Sequence, residues 1–261
     1  MHALTFDWGH TNYREDGSPS GRPIIFLNSL GTDLRMWDGL IAPLSAHRLV
    51  RLDNRGHGLS ARSPQTPTID DLAKDALALA DHLEIEKAVF VGCSLGGLIV
   101  QEIARIAPER VEGVVLSNTA GRIGAREGWE TRIAQVRESG LAAMTDAILE
   151  RWFAPEFRAH PDCAIWATEV ARCDREGYIG GCEVLAATDL EADLPRIAAP
   201  TLVIAGRHDG ATLPEQVLGM AARIPGARTE MIETAGHLPA IETPDLVARH
   251  ITDFLKEHAL V

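Results

Sequence analysis

Ala88-Val89-Phe90-Val91-Gly92-Cys93-Ser94-Leu95-Gly96 is the stretch on which the fold turns. Its first four residues are small, β-branched and aromatic, as a buried strand requires. From Gly97 onward Leu98, Ile99, Ile103 and Ile106 recur at helical spacing, until Pro108 stops the pattern. A G-x-S-x-G match is common in isolation. Set between a strand and a helix, it describes a sharp turn that lifts a serine hydroxyl above the edge of a sheet. Gly92 and Gly96 sit where the turn brings backbone against backbone and tolerates almost no side chain. Ser94 is therefore the expected nucleophile, and acyl transfer the expected chemistry.

The whole chain is consistent with an enzyme of that kind. Its 261 residues can bury a full core, and α/β folds of this size often form one domain. The net charge of −12 argues against a non-specific nucleic-acid surface, which needs a basic face, and against a polybasic membrane anchor. In such a field an anionic substrate needs a local cation. Met1-His2-Ala3-Leu4-Thr5-Phe6-Asp7 has no basic segment leading into an apolar one, so no signal peptide is expected. No apolar run approaches bilayer length. Cys93, Cys163, Cys173 and Cys182 form no C-x-x-C pair and read as reduced thiols, which points to the cytoplasm. Cys93 reads as a small buried hydrophobe at a strand end.

Outward from the serine, strand-like and helix-like runs alternate. Thr11-Arg14 reads as a strand of an early hairpin, and Ile24-Leu27 and Arg48-Leu52 as buried strands. Ile69-Leu83 reads as an amphipathic helix, and Val111-Leu116 as the next strand. Such alternation predicts a mostly parallel sheet with helices on both faces. Between about Arg122 and Leu190 the rhythm becomes helical, with runs at Glu130-Arg137, Leu141-Trp152 and Cys163-Cys173. Pro200-Ala205 and Arg228-Ile232 restore the strands. The expected organisation is a core of residues 1–121 and 190–261 with a helical cap, 122–189, over the carboxyl edge of the sheet. The other reading of that segment is a helical subdomain without a ligand role.

A serine hydroxyl needs a base, a group that orients the base, and donors for an oxyanion. On this type of scaffold they follow in the order serine, acid, histidine. Asp209 follows the strand ending at Ala205, and His237 follows the last strand, in Ala235-Gly236-His237-Leu238-Pro239. His57 precedes the serine, in the glycine-rich Asp53-Asn54-Arg55-Gly56-His57-Gly58, and reads as part of a structural turn. His208 should point away from Asp209 if its loop is extended. The oxyanion donors should be the backbone N–H groups of Leu95 and Leu30, the latter in Asn28-Ser29-Leu30-Gly31. No H-E-x-x-H or C-x-x-C spacing suggests a metal, and no cofactor is expected.

These residues, with Asn28-Ser29-Leu30-Gly31-Thr32-Asp33-Leu34-Arg35-Met36-Trp37-Asp38, Ser117-Asn118-Thr119-Ala120, Ile123-Gly124 and Arg151-Trp152-Phe153-Ala154-Pro155, resemble the 3-oxoadipate enol-lactonases of the α/β-hydrolase superfamily. The resemblance runs from the first strands to the last helix. It implies an α/β-hydrolase fold and a small-molecule substrate, an unsaturated five-membered lactone bearing an acetate arm. It also implies a counter-charge for that carboxylate. Arg132, on the first helix of the insertion, is the first candidate, and Trp152 could wall the pocket or donate its indole N–H. The alternatives on the same scaffold are a carboxylesterase, a carbon–carbon bond hydrolase or a cofactor-free perhydrolase. More remote is a ligand receptor that keeps the fold. A haloalkane dehalogenase would need a carboxylate in place of Ser94.

Overall fold

The computed structural model describes residues 1–260. Eight strands form one sheet: β1 (His2–Phe6), β2 (Gly9–Gly17), β3 (Pro23–Leu27), β4 (Arg48–Leu52), β5 (Ala88–Cys93), β6 (Val111–Ser117), β7 (Thr201–Gly206) and β8 (Arg228–Ile232). Their spatial order is β1-β2-β4-β3-β5-β6-β7-β8. β2 pairs antiparallel with both β1 and β4, and every other pairing is parallel. The central strands β3, β5, β6 and β7 are almost wholly buried, which is why they read as continuous apolar runs rather than as alternating ones.

The helices, in chain order, are α1 (Asp38–Ile41), α2 (Ile69–His82), α3 (Leu95–Ile106), α4 (Arg126–Ser139), α5 (Thr145–Trp152), α6 (Pro155–Arg158), α7 (Cys163–Arg172), α8 (Arg175–Ala187), α9 (Pro214–Ala221), α10 (Pro239–Glu242) and α11 (Pro244–Glu257). α2 begins with a reciprocal capping box, Thr68 and Asp71 each satisfying the other's backbone N–H. It packs against α3, which lies on β3, β5 and β6, while α11 packs on α1 and β7. Among the described residues no helix is long and apolar enough to cross a membrane.

Register carries the functional loops to one edge. Leu27 of β3 pairs with Gly92 of β5, Cys93 with Ser117 of β6, Ser117 with Ile204 of β7, and Gly206 with Ile232 of β8. The loops leaving the carboxyl ends of β3, β5, β6, β7 and β8 therefore emerge side by side, where α/β sheets hold their ligands.

The segment between β6 and β7 is helical, α4 to α8. Its details differ from the sequence reading: α4 runs two to four residues further at each end than Glu130–Arg137, and the short α6 was not expected. The run expected at Leu141–Trp152 opens with a 3-10 turn at Ala142–Met144 and becomes α-helical only from Thr145. A further helix, α8, follows α7 and packs along α4. Its sequence, with Gly177, Gly180 and Gly181, has weak helix propensity. Tertiary contact explains the glycines: a Cβ on Gly177 would collide with the backbone of Gly56, and one on Gly181 with the Leu30 side chain. α8 is thus seated directly on the loops that follow β3 and β4.

Candidate active site

Ser94 joins β5 to α3 at φ 55° and ψ −116°, a conformation that non-glycine residues rarely adopt. Local packing enforces it. A Cβ at Gly92 would strike the Gly96 carbonyl, and one at Gly96 would strike Leu27. The Ser94 N–H donates to the Ser117 carbonyl at 3.0 Å, and its carbonyl accepts from Thr119 Oγ1 at 2.8 Å. β6 and the loop after it therefore clamp the strained residue from the side.

Asp209 and His237 meet. The Asp209 Oδ2 to His237 Nδ1 distance is 2.8 Å, and both residues are buried. Oδ2 also accepts from Asn118 Nδ2 at 2.8 Å, while Oδ1 accepts the N–H groups of Ala211 (2.7 Å) and Thr212 (2.9 Å). Four donors on one carboxylate fix its plane. Asn118 is held in turn by Ser117 Oγ and donates to the Gly236 carbonyl at 3.0 Å, so it ties the acid to the His237 loop. With Asp209 on Nδ1, the other imidazole nitrogen, Nε2, is left for a proton from a hydroxyl.

Ser94 and His237 line a single narrow cleft. Leu30 and Ser29, from the loop after β3, line it as well. Leu95 is the first residue of α3, where the N–H has no intrahelical acceptor. The opposite wall comes from the helical segment: Trp129 and Arg132 of α4, Ile148, Arg151 and Trp152 of α5, Tyr178 and Leu185 of α8. Trp129 spends its indole N–H on the Ile123 carbonyl at 2.6 Å, which leaves it an apolar wall. Arg132 and Arg151 form no salt bridge among the described residues. Arg151 is exposed overall and donates to the Gly210 carbonyl at 2.9 Å. Desolvation where it enters the cleft lowers its pKa, and the nearby Arg132 charge lowers it further.

The remaining sequence candidates lie elsewhere. His57 is buried, with Nδ1 3.1 Å from the Arg55 carbonyl, and it is not among the residues lining the cleft. Burial lowers its pKa and keeps it neutral. His208 is exposed while its neighbour Asp209 is buried. Cys93 is buried beside the His237 carbonyl, and burial, with the Asp209 charge, pushes its thiol far above the ordinary range. It has no thiolate to offer as a nucleophile. All four cysteines are free, and among the described residues no group of three His, Cys, Asp or Glu could hold a metal.

Sequence reading missed Arg151 as a pocket residue, although it stands beside Trp152 in a quoted motif, and it missed Tyr178 and Glu242. Glu242 accepts from the Gly236 N–H and the Ala154 N–H, each at 2.8 Å. Nothing in a local pattern announces such contacts, because each partner lies on a different element.

The family profile for the α/β-hydrolase fold matches residues 22–244, and the chain belongs to the α/β-hydrolase family. Within it, the chain is 35% identical over 257 residues to 3-oxoadipate enol-lactonase 1 of Acinetobacter baylyi, covering 97% of this chain and 96% of that one. It is 38% identical over 236 residues to 3-oxoadipate enol-lactonase 2 of the same organism, covering 89% and 88%. Among solved structures, the enol-lactonase from Burkholderia xenovorans superimposes with a TM-score of 0.94 at 38% identity, over 98% of this chain and 100% of that one.

Proposed function

We propose that this protein is a serine hydrolase that opens the enol-lactone of 3-oxoadipate, a small lactone carrying a free carboxylate. Ser94 Oγ attacks the ring carbonyl while His237 Nε2 takes its proton. Asp209 holds the imidazole in the required tautomer and balances the charge it gains. The backbone N–H groups of Leu30 and Leu95 receive the oxyanion. When the tetrahedral intermediate collapses, the ring C–O bond breaks and the enol oxygen takes the proton from His237. The leaving group stays tethered, so the acyl-enzyme contains the whole substrate. Water, deprotonated by His237, then cleaves the ester and releases the open acid, whose enol relaxes to the ketone.

The observation that carries the substrate class is the pair of guanidinium groups, Arg132 and Arg151, on the wall facing Ser94 and His237. Among the described residues neither has a carboxylate partner, and the two share one cleft in a chain of net charge −12. A carboxylate on the ligand would neutralise them and relieve their mutual repulsion. Trp152 and Trp129 supply the apolar surface on which a flat lactone ring can lie. The residues between β6 and β7 then act as a cap that reads the substrate, over a core that performs the chemistry.

The test compares the enol-lactone, followed by loss of absorbance, with neutral aryl esters. Wild type should prefer the lactone. Arg132→Ala and Arg151→Ala should each raise KM for the lactone about 10-fold or more and leave KM for the neutral ester within about twofold, as a lost charge-assisted contact of ~1.5–3 kcal/mol implies. Unchanged lactone KM in both variants would remove the carboxylate from the account.

A further inference from the structure

The wall that faces the substrate and the loops that carry acid and base are joined by backbone, at one seam. The His237 N–H donates to the Trp152 carbonyl at 2.6 Å, and the Gly210 N–H, one residue past Asp209, donates to the Arg151 carbonyl at 3.0 Å. Arg151 Nε returns a bond to the Gly210 carbonyl at 2.9 Å. A side chain at Gly236 would collide with the Trp152 carbonyl and the Ala154 nitrogen, so the two backbones lie in direct contact. Residues 151–154 are thus laced to both functional loops.

One side chain closes this seam. Glu242 stands at the end of α10, five residues after His237. One of its oxygens takes the Gly236 N–H and the other the Ala154 N–H, each at 2.8 Å. We propose that Glu242 is a positioning residue, a carboxylate pin that fastens the His237 loop to the Arg151–Ala154 segment, so that the wall reading the substrate and the base acting on it are held as one unit. This rests on the hydrolase reading above.

The chemistry of the pin explains the residue type. Two N–H groups from different segments converge on one point, and only an acceptor with two free oxygens serves both. Glutamine has the same reach but a single oxygen, and its NH₂ would face the second N–H. Burial pushes the Glu242 carboxyl up to about 7 against the pull of the two N–H groups, so the pin carries its full charge only above that pH. Without the pin, His237 keeps its bonds to Asp209 and to the Trp152 carbonyl, but the Gly236 and Ala154 N–H groups lose their shared acceptor and the loop is held to the wall less tightly. Small displacements of a base are costly to turnover and less costly to binding.

The experiment is Glu242→Gln in the full-length protein, with competent sites counted by stoichiometric phosphonylation of the serine with a p-nitrophenyl phosphonate. Lactone and p-nitrophenyl acetate are both assayed. Per titrated site, kcat should fall about 10-fold while KM stays within about threefold. A variant that is merely less well folded would instead show fewer titratable sites of normal kcat, and that result, or a per-site kcat within twofold of wild type, overturns the proposal. If wild type turns over the aryl ester and not the lactone, the substrate assignment fails and the Glu242 comparison is read on the ester. If it turns over neither, both fall. A second measurement needs no variant: in wild type the amide hydrogens of Ala154 and Gly236 should exchange slowly and with matching protection. Protection differing by more than about 10-fold would show that the two segments open separately, which the pin forbids.

Discussion

Replacing Asp209 by asparagine probes the relation between acid and base with the least change of shape. Asp209 accepts four hydrogen bonds, from His237, Asn118, Ala211 and Thr212. The amide keeps one acceptor, and the best arrangement keeps it on the two backbone N–H groups of Ala211 and Thr212. Its NH₂ then faces His237 Nδ1 and Asn118 Nδ2. The clash with the imidazole is relieved only if the His237 proton moves from Nδ1 to Nε2, which turns the nitrogen meant to accept the Ser94 proton into a donor. Loss of the correct tautomer in a Ser-His-Asp system lowers kcat by about 10⁴, or roughly 5 kcal/mol of barrier. KM should change little, because the carboxylate does not line the cleft. The assay is steady-state turnover of the enol-lactone, normalised to folded protein by circular dichroism. A kcat within about 10-fold of wild type would refute the claim that Asp209 sets the protonation of His237.

Two further expectations follow from the packing. Gly177→Ala drives a methyl group into the Gly56 backbone, where neither segment can yield cheaply, so it should destabilise the fold by about 1–3 kcal/mol and lower Tm by several degrees in a thermal melt; an unchanged Tm would mean that α8 is not seated on this loop. Stability should also depend on pH through Glu242, whose carboxyl burial raises from 4.5 to about 7. Between those values the unfolded chain has released a proton that the folded protein still holds, so the stabilising contribution is complete below about 4.5 and is lost as pH rises through about 7, by at most about 3 kcal/mol. Urea midpoints of wild type should therefore decline relative to Glu242→Gln between pH 5 and 7.5, and a constant difference across that window would contradict the assignment.

The sheet was legible because its central strands are apolar runs too short for helices, rich in β-branched residues and broken by glycine, proline and charged turns. α2 carried its own start signal at Thr68 and Asp71. α8 was hidden for the opposite reason. Its glycines lower helix propensity, and their purpose, close approach to Gly56 and Leu30, exists only in three dimensions. The same division runs through the site. Ser94, Asp209 and His237 stand at strand ends, where order along the chain is informative, and the structure brings Asp209 to His237 and places Ser94 and His237 on one cleft. Arg151, Tyr178 and Glu242 act across elements. An arginine at the end of α5 looks like any helix-terminal cation until the fold turns it toward a pocket. Glu242 looks like a surface carboxylate until both of its oxygens are found on backbone N–H groups.

The most direct measurement is the mass of the covalent intermediate. Wild-type protein mixed with enol-lactone and acid-quenched within milliseconds should carry an adduct equal in mass to the entire lactone, because ring opening expels nothing, and peptide mapping should place it on the segment containing Ser94. Ser94→Ala should carry none. An adduct smaller than the substrate, an adduct on another residue, or turnover by Ser94→Ala at more than a trace of the wild-type rate would contradict an account built on a serine ester that keeps both ends of the ring.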